Sequence, residues 1–169
     1  MIELKLVDQY PKEQFDDLMD RNLHNMGVFI NSREFQREND FKFEKECHKI
    51  KIGAFIGDKL IGLSCGEATS KNQFVMMISL VEKEYRKQGV YTKMLDMMLE
   101  LTKDFDIIRS YHHIHNNQII SLKLKNDFYI SGMDHCYFVG PRIILEHYNN
   151  EKLLNVMKYR VNLIRENEI

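Results

Sequence analysis

The order of apolar periodicities along the chain predicts an α/β fold of the α+β type, one mixed sheet with helices laid against it. Three observations carry that reading. The 169 residues, 44% of them apolar, suffice for one domain over residues 1–169 with its own core. Three alternating segments joined by short polar turns follow the first helix, the pattern of an antiparallel meander. Beyond them strands and amphipathic helices alternate, as in a layered α/β unit.

The elements follow in order. Ile2, Leu4 and Leu6 alternate with Glu3 and Lys5, a short strand with one covered face. After Pro11 the set Phe15, Leu18, Met19 and Leu23 recurs at helical spacing, with Asp16, Asp17, Asp20 and Arg21 opposite, so a helix runs from Lys12 to about His24. Asn25 to Asp40 is less regular and reads as a loop with a short helix around Glu34 to Arg37. Ile50, Ile52, Ala54 and Ile56 form a strand that turns at Gly57-Asp58-Lys59 into Leu60–Ala68. Polar residues 69–73 lead to Phe74–Val81, apolar on both alternating sets except at Ser79, the mark of a central strand covered on both faces.

Tyr91, Met94, Leu95, Met98, Leu101 and Phe105 then fall three and four apart, predicting a helix of about four turns with a Met-rich core stripe. Ile107–His115 reads as a strand, Asn117–Asn126 as a short helix and Phe128–Phe138 as a strand. Pro141 interrupts before a last strand at Arg142–His147, and a closing helix spans about Glu151 to Arg165. Its single apolar stripe fits either closing the domain or pairing two subunits in a homodimer. Seven strands are expected in all.

Composition excludes several classes. Twenty-four basic against 25 acidic side chains leave a formal net charge of -1, so no global field favours nucleic acid or anionic lipid. No repeat, low-complexity linker or run of like charge interrupts the chain. Glu3, Lys5 and Asp8 break the N-terminal apolar residues, which is unlike a signal peptide, and no window approaches the ~20 apolar residues that span a bilayer. Cys47, Cys65 and Cys136 are an odd number at wide spacing, suiting reduced thiols in a cytoplasm better than a disulfide frame.

The chemically informative segment is Tyr85-Arg86-Lys87-Gln88-Gly89-Val90-Tyr91-Thr92, between the central strand and the Met-rich helix. A strand, a short loop and a helix start bring successive N–H groups to one spot, where the helix dipole adds partial positive charge suited to a pyrophosphate. Gly89 removes a Cβ from that approach, and Arg86 and Lys87 add charge or stand in solvent. Downstream, Asn116 is placed as a helix N-cap. It shares a helical face with Ile119 or Ile120 and with Lys123, so cap and lysine could address one cleft.

On these two segments the chain resembles the GNAT superfamily of acyl-CoA-dependent N-acyltransferases, over about residues 50–133. The family's Arg/Gln-x-x-Gly-x-Gly/Ala signature, after a valine-ending strand, reads here Arg86-Lys87-Gln88-Gly89-Val90-Tyr91 after Leu80-Val81. Its later Asn-x-x-Ala-x-x-Leu-Tyr-x-Lys-x-Gly-Phe reads from Asn116 to Phe128. The resemblance implies a mostly antiparallel sheet splayed between its fourth and fifth strands, with acetyl-CoA as co-substrate and no metal. It implies that main-chain groups of Leu80 and Val81 pair with the pantetheine arm. Arg86, Lys87, Gln88, Gly89, Val90, Tyr91 and Thr92 would cradle the pyrophosphate, and Asn116 would touch the cofactor arm. Transfer would be direct, a bound primary amine attacking the thioester.

That chemistry sets demands. An amine of pKa near 10.4 is neutral about once in a few thousand at pH 7, so a base or water relay must take a proton. A strand N–H at Val81 is placed for the oxyanion. The family's tyrosine, the acid for the leaving thiolate, is replaced here by Lys123, which could protonate or steady the thiolate or simply be solvated. Tyr91 replaces the loop's second small residue. Glu67, on the strand face of Leu63 and Cys65, is a candidate base or a strand-end residue in water. Among His112, His113 and His115, alternation sets His113 and His115 together. Without a third ligand a metal pair is disfavoured, and His113 is the candidate proton relay. The expected acceptor is a small-molecule amine or a protein amino group, held where the first two helices approach the sheet near Phe29, Phe35 and Phe41, aromatics that a place in the core explains equally well. Two alternatives stand beside this reading: a noncatalytic acyl-CoA-sensing module of the same fold, and an acylase of aminoacyl-tRNA, which the near-neutral charge disfavours.

Overall fold

The computed structural model describes residues 1–22, 48–136, 140–161 and 163–168. The expected short helix around Glu34, the aromatics Phe29, Phe35 and Phe41, and Cys47 lie outside the described residues. In chain order the elements are β1 (Glu3–Leu6), α1 (Lys12–Asn22), β2 (Lys49–Ile56), β3 (Lys59–Ala68), β4 (Gln73–Val81), a 3-10 turn (Lys83–Tyr85), α2 (Val90–Leu101) and β5 (Ile107–His113). They continue with α3 (Asn117–Leu124), β6 (Phe128–Cys136), β7 (Gly140–Tyr148), α4 (Glu151–Arg160) and a final 3-10 turn (Glu166–Glu168).

The seven strands form one sheet in the order β1-β2-β3-β4-β5-β7-β6. Only β4 and β5 run parallel, and they pair briefly, Gln73–Met76 against Ile107–Ser110. Beyond Met76 the strands part. β4 stays with β3 as far as Val81 opposite Gly62, and β5 stays with β7 as far as His113 opposite Arg142. The result is a wedge in the middle of the sheet, open at the C-terminal end of β4.

One sheet face buries Ile50, Ile52, Ala54, Ile61, Phe74, Met76, Val81 and Ile108 against Val90, Met94, Leu95 and Met98 of α2. Each of those helix side chains contributes about 1.5–3 kcal/mol by leaving water. The other face packs Phe55, Leu60, Leu63 and Leu80 on Leu18 of α1. Tyr10 closes that side by stacking on Phe15 with centroids 5.4 Å apart and donating to Ser64 O at 2.9 Å. At Gly66 a Cβ would meet Val75 O at 2.4 Å, so only glycine fits the bulge where the β3–β4 register shifts between Cys65 and Gly66.

Several boundaries differ from expectation, each for a local reason. Helix α2 stops at Leu101 and does not reach Phe105, because Thr102 Oγ1 donates to Met98 O at 2.7 Å and caps the last turn. Strand β5 ends at His113, whose carbonyl accepts Asn116 N–H at 2.8 Å and turns the chain, leaving His115 outside the strand. Pro141 does not break β7. It lies past the last residue paired with β5, opposite His135, where its missing N–H costs no bond to β5. Helix α4 ends at Arg160, five residues short of Arg165, where Leu163 N–H closes on Lys158 O at 2.8 Å, a bond one residue longer than the helical repeat.

Candidate active site

The wedge between β4 and β5 holds the site. At its mouth Glu82 N–H bonds Ile61 O at 2.8 Å. Antiparallel alternation then commits Leu80 to Leu63 and turns the main-chain groups of Val81 and Ser79 away from β3, into the gap. Val81 therefore offers its N–H there, while Leu80, expected to share that role, has its main chain engaged by β3. Ser79 is the strand residue that sequence reasoning passed over. Its hydroxyl meets Ser64 Oγ at 2.7 Å.

The loop after β4 is tied down from both sides. Arg86 Nε donates to Val81 O at 2.9 Å and its Nη2 to Asn22 Oδ1 at 2.5 Å. Nearby, the nearly buried Glu82 carboxylate lies 3.0 Å from Arg21 of α1. Gln88 turns back to Glu84 O at 3.0 Å and lines neither of the two cavities described below. Lys87 sits at φ 61° and Gly89 at φ 76°, an alternation that points neighbouring N–H groups to one side. At Lys87 that conformation costs about 1 kcal/mol. At Gly89 a Cβ would meet no protein atom within 4 Å, so it is φ that requires glycine here.

Gly89 caps α2 without a side-chain hydrogen bond. The first bond of the helix is Lys93 N–H to Gly89 O at 3.0 Å, so the N–H groups of Val90, Tyr91 and Thr92 have no partner within the helix. All three residues line a cavity of about 310 Å³, together with Leu80, Val81, Arg86, Lys87, Gly89 and Asn116. Asn116 does precede α3, but its side chain makes no capping bond. Its amide is left for the cleft.

A second cavity of about 410 Å³ adjoins the first and shares Ser79, Tyr91, Asn116 and Ile119 with it. Its walls are Met76–Ser79 of β4, Ser110–His113 of β5, Lys123 of α3 and Arg142 of β7. Among the described residues no carboxylate lines either cavity. Arg142 is ion-paired with Asp134 and lies 4.5 Å above the Tyr111 ring.

Lys123 is not the solvated lysine that residue type alone favours. It is fully buried, with Nζ 2.9 Å from Met76 Sδ and 4.0 Å from the centroid of the Phe128 ring. Burial pulls its pKa down to about 7. His112 lines the same cavity, its Nε2 3.1 Å from Ser110 Oγ. Burial, and then the charge of Lys123, lowers its pKa to about 4. Strand alternation sets Ile108, Ser110 and His112 on one side of β5.

The other candidates fall elsewhere. His113 is exposed at the end of β5, at the cavity rim, where its Nδ1 accepts His115 N–H at 3.3 Å and the two rings lie 5.3 Å apart. Glu67 lies 3.8 Å from Lys49 across the β2–β3 ladder and lines neither cavity, because antiparallel pairing sets it opposite Val75, at the far end of β4 from Val81. Among the described residues no three His, Cys, Asp or Glu side chains are gathered as a metal site would require.

No protein-family model matches the chain, and no curated protein does. Solved structures do. An N-acetyltransferase, PaiA of Thermoplasma acidophilum in complex with coenzyme A, is 18% identical over 88% of this chain and 99% of its own, with a TM-score of 0.64. An acetyltransferase of Bacillus subtilis in complex with CoA is 17% identical over 88% and 99%, with a TM-score of 0.65. An aminoglycoside 6'-N-acetyltransferase complexed with coenzyme A is 14% identical over 87% and 97%, with a TM-score of 0.64. At these identities the likeness is one of fold, and the fold of this chain is that of the GNAT acetyltransferases.

Proposed function

We propose that the chain is an acetyl-CoA-dependent N-acetyltransferase of the GNAT superfamily, moving an acetyl group to a primary amine by direct attack in a ternary complex. The observation that carries this is the continuity of the two cavities: an uncapped helix N-terminus at one end, a buried lysine of near-neutral pKa at the other. The structural neighbours crystallised with coenzyme A support the same co-substrate. One of them is named for acetylating an aminoglycoside, which is consistent with amine acceptors in general.

In this reading the N–H groups of Val90, Tyr91 and Thr92 hold the pyrophosphate, with Lys87 adding charge. Ser79 and Val81 lie along the pantetheine arm; Arg86 holds the Val81 carbonyl, and the Val81 N–H, turned away from β3, serves the oxyanion. Lys123 does what the family's tyrosine cannot. At pKa about 7 it is partly neutral at physiological pH, so it accepts a proton from the attacking nitrogen and returns one to the departing sulfur. A pKa near the working pH is what acid–base catalysis favours.

The test is calorimetric titration with acetyl-CoA of wild type and of Gly89→Glu, followed by release of thiol over a panel of amines. Binding that Gly89→Glu abolishes, together with turnover of at least one amine, is the expected result. Wild type that fails to bind removes the reading. Tight binding without turnover on any amine selects the noncatalytic sensing module.

A further inference from the structure

Transfer from a thioester to an amine leaves a proton over. The ammonium form of the acceptor gives up two protons as its nitrogen becomes an amide, and the sulfur of the departing thiol takes one. The other must reach solvent in every cycle. On the acetyltransferase reading Lys123 handles these protons, yet Lys123 is fully buried, with a thioether and an aromatic ring as its nearest partners.

The groups around the lysine limit the exit. From β4 it meets Met76, and from β6 Phe128, neither of which carries protons. From α2 the cavity receives Tyr91, whose phenol burial keeps protonated. From β7 it receives Arg142, held by Asp134 as a permanent cation. From β5 come Ser110, buried, and His112, half-buried, on the same side of the strand, while Tyr111 is covered by Arg142 and His113 stands at the exposed rim. Two imidazoles line the wall, and a ring of this kind takes a proton on one nitrogen and releases it from the other; His113 stands in solvent at the rim, and His112 is the one covered beside the lysine's cavity.

We propose that His112, oriented by Ser110, is the proton outlet of Lys123, passing the surplus proton of each transfer from the buried amine to the open cavity. The Nε2–Ser110 contact of 3.1 Å fixes the ring and leaves Nδ1 without a partner among the described residues. Burial, and after it the charge of Lys123, depresses the histidine, so His112 holds a proton only in passing. The ring is neutral at rest and ready to accept.

The experiment is steady-state kinetics of His112→Ala on an amine that wild type acetylates, with and without added imidazole, beside acetyl-CoA titration. The expected result is unchanged acetyl-CoA affinity, kcat lowered about 10²-fold with little change in KM, and partial recovery of kcat with imidazole. Wild-type kcat in the variant overturns the proposal. So does a loss that imidazole does not restore while acetyl-CoA still binds. If His112→Ala does not bind acetyl-CoA, His112→Gln, which keeps the volume and so leaves no room for imidazole, is read by kcat alone: a wild-type value overturns the proposal, and a loss of about 10²-fold with acetyl-CoA still bound supports it. Wild type that turns over no amine defeats the functional reading itself, whereas active wild type with an unimpaired variant defeats only the outlet.

Discussion

The two ends of the cleft are built from different materials. The mouth is main chain: unbonded N–H groups of Val90, Tyr91 and Thr92, the free side of Val81, and a loop whose left-handed residues aim them. The inner end is side chain: Lys123, His112 and Ser110, with properties set by what covers them. A main-chain site tolerates a change of side chain, so Tyr91 can replace a small residue there. A side-chain site does not, because its chemistry is the burial of a particular amine.

The largest effect expected from this contrast is Gly89→Glu, which should weaken acetyl-CoA binding by more than about 10²-fold. It places an L residue at φ 76° and a negative charge before a helix N-terminus. Circular dichroism should be unchanged, since a side chain here points into open space. Binding within a few-fold of wild type would show that the mouth does not rest on that loop. Next, Lys123→Met should lower kcat about 10²-fold while leaving acetyl-CoA affinity intact, the mirror image of the first result.

The same substitution tests the buried amine through stability. Lys123 has pKa about 7 when folded against about 10.4 unfolded. Between those values the unfolded chain binds more protons, so stability rises with pH and the destabilisation by Lys123 is greatest below about pH 7. Lys123→Met should therefore raise Tm most at pH 6 and least at pH 10, read by calorimetry. A pH-independent difference would place the lysine in water.

A smaller effect is expected from Glu82→Gln or Asn22→Ala, which loosen the ties of α1 to the loop and should weaken acetyl-CoA binding about 2–5-fold, by at most about 1 kcal/mol. The smallest is Glu67→Gln, less than about twofold in kcat, because its partner is Lys49 and it lines neither cavity. A large loss there would bring β3 into the chemistry and erase the division between the two ends.

Legibility followed the same division. The loop from Arg86 to Thr92, the apolar β4 and the Met-rich α2 could be read from spacing, since turn chemistry and periodicity are local. His113 drew attention as one of a cluster, yet β5 turns His112 to the inner wall and ends at His113. The clue lay in Ile108 and Ser110, which share the parity of His112 and are buried. Glu67 lies off the site because the β3–β4 register pairs it with Val75 and not with the open end at Val81, a pairing between strands that local pattern does not fix.

The sequence by itself determined the strand and helix order, the main-chain cradle before α2 and the residue types available for chemistry, because these depend on neighbours a few positions apart. Only the tertiary structure decided that β4 and β5 part beyond Met76, that Leu80 is taken by β3 while Val81 faces the gap, and that Lys123 is dry. Those outcomes depend on residues far apart in sequence, Met76 and Phe128 closing over one lysine, and an amine's pKa is set by the water it loses to such neighbours.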